Sequence, residues 1–294
     1  MAVFQQGRRR FLCVIIALVC ATVCGLVFTG PETALLARAQ TALVGVADPE
    51  PARTPTSNTD IACTDQRWKG ASYTVCAFSL TRDTISLFLK GENGDIFATF
   101  DRLARSRAAR GQMLVFAMNG GMYGRGRLPI GLFVADGQTL KTINTKDGYG
   151  NFHLMPNGVF YTERARDGTV RARIKTTPHY MAQPQTPIIA TQSGPMLVID
   201  GVLHPRFLPD STSRKRRNGV GVSADGSTVW FAISNTPVRF HDFATLFRDA
   251  IGARDALFLD GEVSKLYAPG LGRHDRGLPM GPILGVTRPV GPTP

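Results

Sequence analysis

The 294-residue chain is poor in the side chains that build metal centres and nucleophilic triads. It holds only five histidines, and none follows the H-x-x-x-H or H-E-x-x-H spacing of a zinc site. It has neither a G-x-S-x-G turn nor a P-loop, which removes the common serine-hydrolase and nucleotide-binding classes. Helix-turn-helix, zinc-finger and aromatic-rich RNA-binding patterns are missing as well. The sequence therefore predicts no cofactor, no metal and no nucleic-acid partner.

Cysteine is equally sparse. Three of the five cysteines lie within the first 24 residues, so that only Cys63 and Cys76 remain in the rest of the chain. These two lack C-x-x-C spacing, and in an oxidising compartment such a pair most simply forms one structural disulfide. We therefore expect a bond between Cys63 and Cys76 at the N-terminal edge of the fold.

The chain has only one long apolar run, and that run lies near the N-terminus. Arg8, Arg9 and Arg10 precede residues 11–28, and Ala37-Arg38-Ala39 fits an export cleavage site. The run is also long enough for an uncleaved membrane anchor, in which case residues 11–28 form a membrane tether. Residues 1–39 are thus a signal peptide or an anchor, residues 40–62 a Pro/Thr/Ser linker and residues 63–290 one domain. Both alternatives predict an exported, periplasmic or extracellular protein.

Acidic side chains are in deficit. The formal net charge is +12, and the first 39 residues carry four arginines and one glutamate, which leaves +9 on the remainder. An excess of this size favours anionic partners. In the absence of nucleic-acid motifs we expect an anionic glycan or a sugar phosphate.

Short apolar runs bounded by turn residues dominate the chain beyond residue 63. Residues 72–80 and 84–89 alternate well enough to predict a hairpin. Apolar side chains have helical spacing in only two stretches, residues 97–110 and 240–251. The sequence predicts an α+β fold: a single domain with a mixed or antiparallel sheet core and few helices. Four further hairpins are predicted where a run meets Asp-Gly and a return strand, at Asp136, Asp167, Asp200 and Asp225.

Four other apolar strands end in a polar residue beside glycine, and at Asp260-Gly261 no alternating strand returns. Each motif alone is an ordinary loop, whereas the four together favour one shared cleft. The four motifs are Asn119-Gly120-Gly121, Ser193-Gly194-Pro195, Arg217-Asn218-Gly219 and Asp260-Gly261.

These motifs, with residues 150–160 and the segment Leu-Asp-Gly-Glu-Val-Ser, resemble the phosphodiester glycosidase family over roughly residues 70–288. The resemblance implies an α+β fold and hydrolysis of a sugar-1-phosphodiester. It places Asn119, Arg217, Asp260, Gly261 and Ser264 where the family keeps its cleft residues. One departure is that Glu262-Val263 replaces two glycines of the family's Asp-Gly-Gly-Gly-Ser pattern, which narrows this loop.

The chemistry of the leaving group agrees with that resemblance. A phosphate monoester, with a second pKa of about 6, departs without the general acid that ordinary glycosidases need. One carboxylate and one arginine fork on the phosphate then suffice. A non-catalytic binder of anionic envelope glycans and a metal-dependent phosphodiesterase remain the alternatives. The predicted catalytic residues are Asp260, Arg217 and Ser264, and the predicted substrate-binding residues are Asn119, Gly120, Gly121, Asn157, Gly194, Asn218, Gly261 and Glu262.

Overall fold

Three antiparallel sheets contain most of the regular secondary structure in the described chain. The computed structural model describes residues 62–260 and 262–290, which belong to one compact unit. The predicted leader, nearly all of the predicted linker and Gly261 lie outside the described residues. In chain order the strands are β1 (Cys63–Trp68), β2 (Ala71–Ser79), β3 (Ile85–Phe88), β4 (Gln112–Asn119), β5 (Phe133–Ala135), β6 (Gln138–Lys141), β7 (Gly158–Arg164), β8 (Val170–Thr176), β9 (Pro187–Ser193), β10 (Met196–Ile199), β11 (Val202–Leu203), β12 (Asn218–Val222), β13 (Thr228–Ser234), β14 (Asp255–Asp260), β15 (Leu266–Ala268), β16 (Arg273–His274) and β17 (Ile283–Pro289).

Helices are short and few in the described chain. They are α1 (Phe100–Ala108), α2 (Thr177–Met181) and α3 (Phe240–Thr245), and α3 continues into a π-helical segment, Leu246–Ile251. The predicted helix at 97–110 begins later than expected because Thr99 caps it, accepting a hydrogen bond from Arg102 N at 3.3 Å. None of the helices in the described residues is long and apolar enough to cross a bilayer.

The sheets differ in size and share one core. The first sheet has the order β1-β2-β13-β12-β14-β10-β11, the second β16-β15-β4-β17-β3 and the third β6-β5-β9-β7-β8. One ring from each meets in the centre: Phe231 lies 4.9 Å from Phe116 and 6.3 Å from Phe160, between ring centroids. Helix α3 covers the opposite face of the first sheet with a second apolar cluster that includes Phe243 and Phe258.

The four Asp-Gly hairpins and the α+β class are confirmed. Strands β5–β6, β7–β8, β10–β11 and β12–β13 pair as antiparallel neighbours. At two of the turns the aspartate itself has positive φ, +49° at both Asp136 and Asp200, and the glycine that follows is also left-handed. Asp and Gly tolerate this conformation, which explains why the local sequence predicted these turns well.

The predicted hairpin between residues 72–80 and 84–89 is wrong. Strand β2 pairs on one side with β1 and on the other with β13, so both of its edges are occupied by strands longer than β3. Strand β3 joins the second sheet instead, beside β17. The connecting turn contains Asp83, which is buried and accepts a hydrogen bond from Arg288 at 3.1 Å. This aspartate anchors the point where the chain passes from one sheet to the other.

The expected disulfide is present. Cys63 and Cys76 are directly opposite each other in the β1–β2 ladder and are bonded. Both are buried in the central core. The bond therefore ties the first described strand to the sheet.

Candidate active site

Strand ends from all three sheets meet at one place. Asn119 ends β4, Asp260 ends β14, Ser193 ends β9 and Asn218 begins β12. Asn218 is paired with Asp260 in the β12–β14 ladder, and Ser193 Oγ donates a hydrogen bond to Leu259 O at 3.1 Å. All of these side chains are buried. Three of the four predicted motifs thus contribute a polar side chain directly to this cluster. Ser193 of the fourth motif is hydrogen-bonded to the main chain of Leu259, next to Asp260.

A β-bulge turns the Asp260 carboxylate into the cluster. Gly219 pairs with Phe258 while Asn218 pairs with Asp260, so Leu259 is an additional residue on β14. Phe258 faces helix α3, and simple alternation along the strand would send Asp260 to that same face. The bulge reverses this direction, and the carboxylate lies instead toward Asn119 of the second sheet.

Asn119 holds the loop that follows Asp260. It is fully buried, and its Nδ2 donates hydrogen bonds to Asp260 Oδ2 at 3.2 Å and to Val263 O at 2.6 Å. Its Oδ1 accepts a hydrogen bond from Lys265 N at 2.7 Å. One amide therefore fixes three points of the loop. These internal bonds already engage both ends of the amide. Contact of Asn119 with substrate remains a prediction.

Asn218 and Ser264 fix the backbone of Asp260. Asn218 Oδ1 accepts a hydrogen bond from Asp260 N at 2.9 Å, and Ser264 Oγ donates to Asp260 O at 2.8 Å. Glu262 N donates to Asp260 Oδ1 at 3.0 Å, so both carboxylate oxygens accept an N–H hydrogen bond. An ionised carboxylate is a pure acceptor and suits this arrangement. The Glu262 side chain is exposed beside it.

Arg217 lies on the other face of the sheet edge. Its guanidinium is 3.5 Å above the Phe240 ring, 5.7 Å from the centroid of the Phe258 ring and bonded through Nε to Val238 O at 3.0 Å. The residue is only 1% exposed, and burial lowers the pKa of Arg217 to about 10. Within residues 62–260 and 262–290 it forms no ion pair with a carboxylate, Asp260 included. Binding of a substrate phosphate by Arg217 remains a prediction.

The glycines and Asn157 pack the cluster internally. A side chain at Gly120 would lie 2.9 Å from the backbone of Ile283 and Leu284. Gly121 has a φ of +138°, and a side chain there would lie 2.5 Å from Thr191 Oγ1. Gly194 is packed just as tightly against buried Asn157, which donates to Phe152 O and accepts from Thr177 Oγ1. Substrate contacts by these residues also remain predictions, and Gly261 lies outside the described residues.

Two residues that the sequence reasoning did not assign to the site lie near the Asp260 cluster and are both hydrogen-bonded to residues 278–279. Tyr123 Oη donates to Pro279 O at 3.2 Å, and Lys265 Nζ donates to Leu278 O. Burial, with the nearby charges of Asp260 and Glu262, raises the pKa of Tyr123, so it faces the carboxylates as a neutral phenol. Burial lowers the pKa of Lys265. Tyr123 closes the Met-Asn-Gly-Gly-Met-Tyr segment and could have been found there, whereas the main-chain bond of Lys265 leaves no trace in the sequence.

In the part of the chain that the structure describes, no three His, Cys, Asp or Glu side chains are grouped in a way that could hold a metal ion.

The site thus contains a carboxylate that amide N–H groups fix at a strand end. Residues 112–287 match the family model described as phosphodiester glycosidase, and the chain belongs to that family. The range includes Asn119, Arg217, Asp260 and Ser264. The family resemblance inferred from the motifs is thereby confirmed.

The chain is similar to a curated protein in sequence and to a solved structure in fold. The uncharacterized protein YigE of Escherichia coli K12 is 34% identical over 213 residues, which cover 71% of this chain and 80% of YigE. The zebrafish N-acetylglucosamine-1-phosphodiester alpha-N-acetylglucosaminidase catalytic domain, auto-inhibited by its pro-peptide, is similar in structure with a TM-score of 0.52. It is 14% identical, with 76% of this chain and 81% of that chain covered, so this likeness concerns the fold.

Proposed function

We propose that this protein is an exported hydrolase that cleaves the glycosidic C–O bond of a sugar-1-phosphodiester in an envelope or extracellular glycan. Family membership supports the class of reaction. The observation that supports the proposal is the Asp260 carboxylate, which a bulge turns toward Asn119 Nδ2 and Glu262 N, while Asn218 and Ser264 fix the main chain of Asp260. A carboxylate whose two oxygens and whose main chain are all fixed in this way is preorganised for chemistry.

The proposed reaction needs one carboxylate. The oxygen of a water molecule bonds to the anomeric carbon, the C–O bond to the phosphate breaks, and its electron pair remains on the phosphate oxygen. Asp260 accepts the proton of the attacking water, and its negative charge stabilises the positive charge that develops on the sugar ring. The departing phosphate monoester has a second pKa of about 6 and needs no proton from the protein.

Arg217 supplies the positive charge in this proposal. A buried guanidinium with no acidic partner among the described residues lacks the counter-ion that such a group usually has. A phosphodiester that reached this guanidinium around the sheet edge from the Asp260 carboxylate would provide the missing negative charge. The planar fork of arginine also suits two phosphate oxygens better than an ammonium group does.

The test compares two aspartates on the same strand. Asp260→Asn should lower kcat on a sugar-1-phosphodiester by about 10²–10⁴-fold, the usual contribution of a general base. Asp255→Asn, at the opposite end of β14, should retain the parent rate because Asp255 only accepts a hydrogen bond from Asp200 N there. An Asp260→Asn variant as fast as the parent would refute the proposal. Glycan binding without turnover by the parent would support the binding protein instead.

Two further measurements address the bond that breaks and the export. In ¹⁸O-water the label should appear in the released sugar, and label in the phosphate would indicate P–O cleavage by a phosphodiesterase. Expression of the full chain with its leader should give an extracytoplasmic protein. If the predicted site is cut, mass spectrometry should find Gln40 as its first residue. A retained leader with the domain outside the membrane would indicate the anchor, and a cytoplasmic product would refute export.

A further inference from the structure

A second concavity opens at the same end of the third sheet as the Asp260 cluster. It encloses about 490 Å³, within the range typical of small-molecule sites. Its wall includes Lys146, Asp147, His153, Met155, Asn157 and Met181.

Asn157 connects this pocket to the Asp260 cluster. It lines the pocket and packs on its other side against Gly194, directly after Ser193. Ser193 in turn donates to Leu259 O, next to Asp260. Asn157, Gly194 and Ser193 therefore link the pocket lining to Leu259, the residue before Asp260.

The pocket offers polar groups that nothing else engages. Lys146 and Asp147 are exposed, and their charged groups have neither hydrogen bonds nor ion pairs with any residue in the described chain. Their opposite charges balance, so the site does not favour a phosphate. The consecutive residues Lys146 and Asp147 offer both donors and acceptors, which suits the paired donor and acceptor capacity of neighbouring sugar hydroxyls.

The apolar part of the pocket complements these charges. Met155 and Met181 line the pocket and are 49% and 53% exposed, so a ligand in it can contact both side chains. Flexible thioether side chains adapt well to an irregular ligand surface such as the C–H face of a sugar ring.

The base of the pocket is held rigidly. Buried Gln192 accepts a hydrogen bond from Asn144 N and donates one to Asn144 O, both at 2.8 Å. His153 Nδ1 lies 3.0 Å from Lys146 O and braces the same loop. A loop fixed in this way loses little conformational entropy when a ligand binds.

We infer that this pocket is a subsite for a second, neutral sugar of the substrate. The inference rests on the proposed function, and it narrows the substrate to a glycan that continues beyond the phosphodiester. A small diester such as a methyl sugar-1-phosphate would leave the pocket empty.

The activity test uses two equally exposed methionines. Met181→Trp should fill the pocket and lower kcat/KM by about tenfold or more for a sugar-1-phosphodiester of a disaccharide, with the methyl diester unaffected. Met113→Trp is the control: Met113 is also 53% exposed, but lies at the opposite end of β4 from Asn119. Equal effects of Met181→Trp on both substrates, or no effect on the longer one, would overturn the subsite.

A binding test separates this inference from the proposed function. ¹⁵N-labelled Asp260→Asn protein is titrated with the neutral disaccharides maltose, cellobiose and N,N′-diacetylchitobiose. Shifts confined to residues 144–155 and 177–182, and abolished by Met181→Trp, would establish the sugar site even if the parent hydrolyses no phosphodiester. Absence of such shifts with all three sugars at millimolar concentration would overturn it, whatever the activity.

Discussion

Replacing Arg217 with lysine distinguishes two roles of this residue: binding the phosphate of a substrate, or only stabilising the fold. The arginine donates one charge-assisted hydrogen bond to Val238 O and stacks on Phe240, and both interactions are buried. A charge-assisted hydrogen bond contributes about 1.5–3 kcal/mol and a desolvated cation–π contact about 2 kcal/mol. Lysine keeps the charge but loses the planar stack and the position of Nε. Since such terms overlap, we expect Arg217→Lys to lower the free energy of unfolding by about 2–4 kcal/mol.

Activity then decides the functional role. If the guanidinium also binds the phosphate in the transition state, kcat/KM per folded molecule should fall by a further ten- to hundredfold, or about 1.5–3 kcal/mol. Urea unfolding gives the fraction folded, and initial rates on a sugar-1-phosphodiester give kcat/KM. Inorganic phosphate should also inhibit the parent more strongly than the variant.

The neighbouring basic residues provide the matched controls. Arg216 is exposed and donates to Asn235 O, so Arg216→Lys should change neither stability nor kcat/KM appreciably. Arg214, Lys215 and Arg216, each exchanged for glutamine, should weaken substrate capture modestly and less at high salt, because they act through the local field. Equal kcat/KM of Arg217→Lys and the parent, measured per folded molecule, would remove Arg217 from the mechanism and leave it a structural role.

Three further outcomes are expected. Reduction of the Cys63–Cys76 bond should lower stability by about 3 kcal/mol while leaving activity at moderate temperature, and loss of activity without loss of stability would contradict a structural role. Burial lowers the pKa of His204 below its usual 6.5, so the unfolded chain binds a proton first and the unfolding free energy falls as pH drops below that value. The slope of the unfolding free energy against pH, at most about 1.4 kcal/mol per pH unit, should flatten in His204→Gln. The same dependence of the urea midpoint on pH in the parent and the variant would refute this. Asn119→Ala should lower the free energy of unfolding by about 2–4 kcal/mol and reduce kcat, since it removes the amide partner of Lys265 N and Asp260 Oδ2. An unchanged kcat would contradict the role of Asn119 in holding the Asp260 loop.

Local turn chemistry explains which parts of the fold the sequence predicted. The Asp-Gly turns need positive φ at neighbouring residues, and this requirement is visible in two adjacent letters. One partner of β2 is the adjacent β1, but the other is β13, whose paired residues are 149–161 positions away, and proximity along the chain wrongly favoured β3. Strand exchange between sheets depends on which edges remain free, and no short stretch of sequence records that.

The same distinction applies to the site. Strand ends marked by a polar residue and glycine predicted that Asn119, Asn218 and Asp260 belong together, and the structure brings them together. The direction of the Asp260 carboxylate depends on a bulge in the β12–β14 pairing, which involves two distant strands. Periodicity alone would have aimed it at helix α3.

Asn119 shows why an amide is required at a position where a carboxylate would also fit sterically. At Asn119 one side chain must accept from Lys265 N and donate to both Val263 O and Asp260 Oδ2. An aspartate accepts but cannot donate when ionised, so Asn119→Asp would leave Val263 O without this donor and place a second negative charge beside Asp260. We therefore expect Asn119→Asp to be more damaging to kcat than Asn119→Ala, although it preserves the shape of the side chain. Higher kcat in the aspartate variant would show that shape, rather than the donated hydrogen bonds, holds the Asp260 loop.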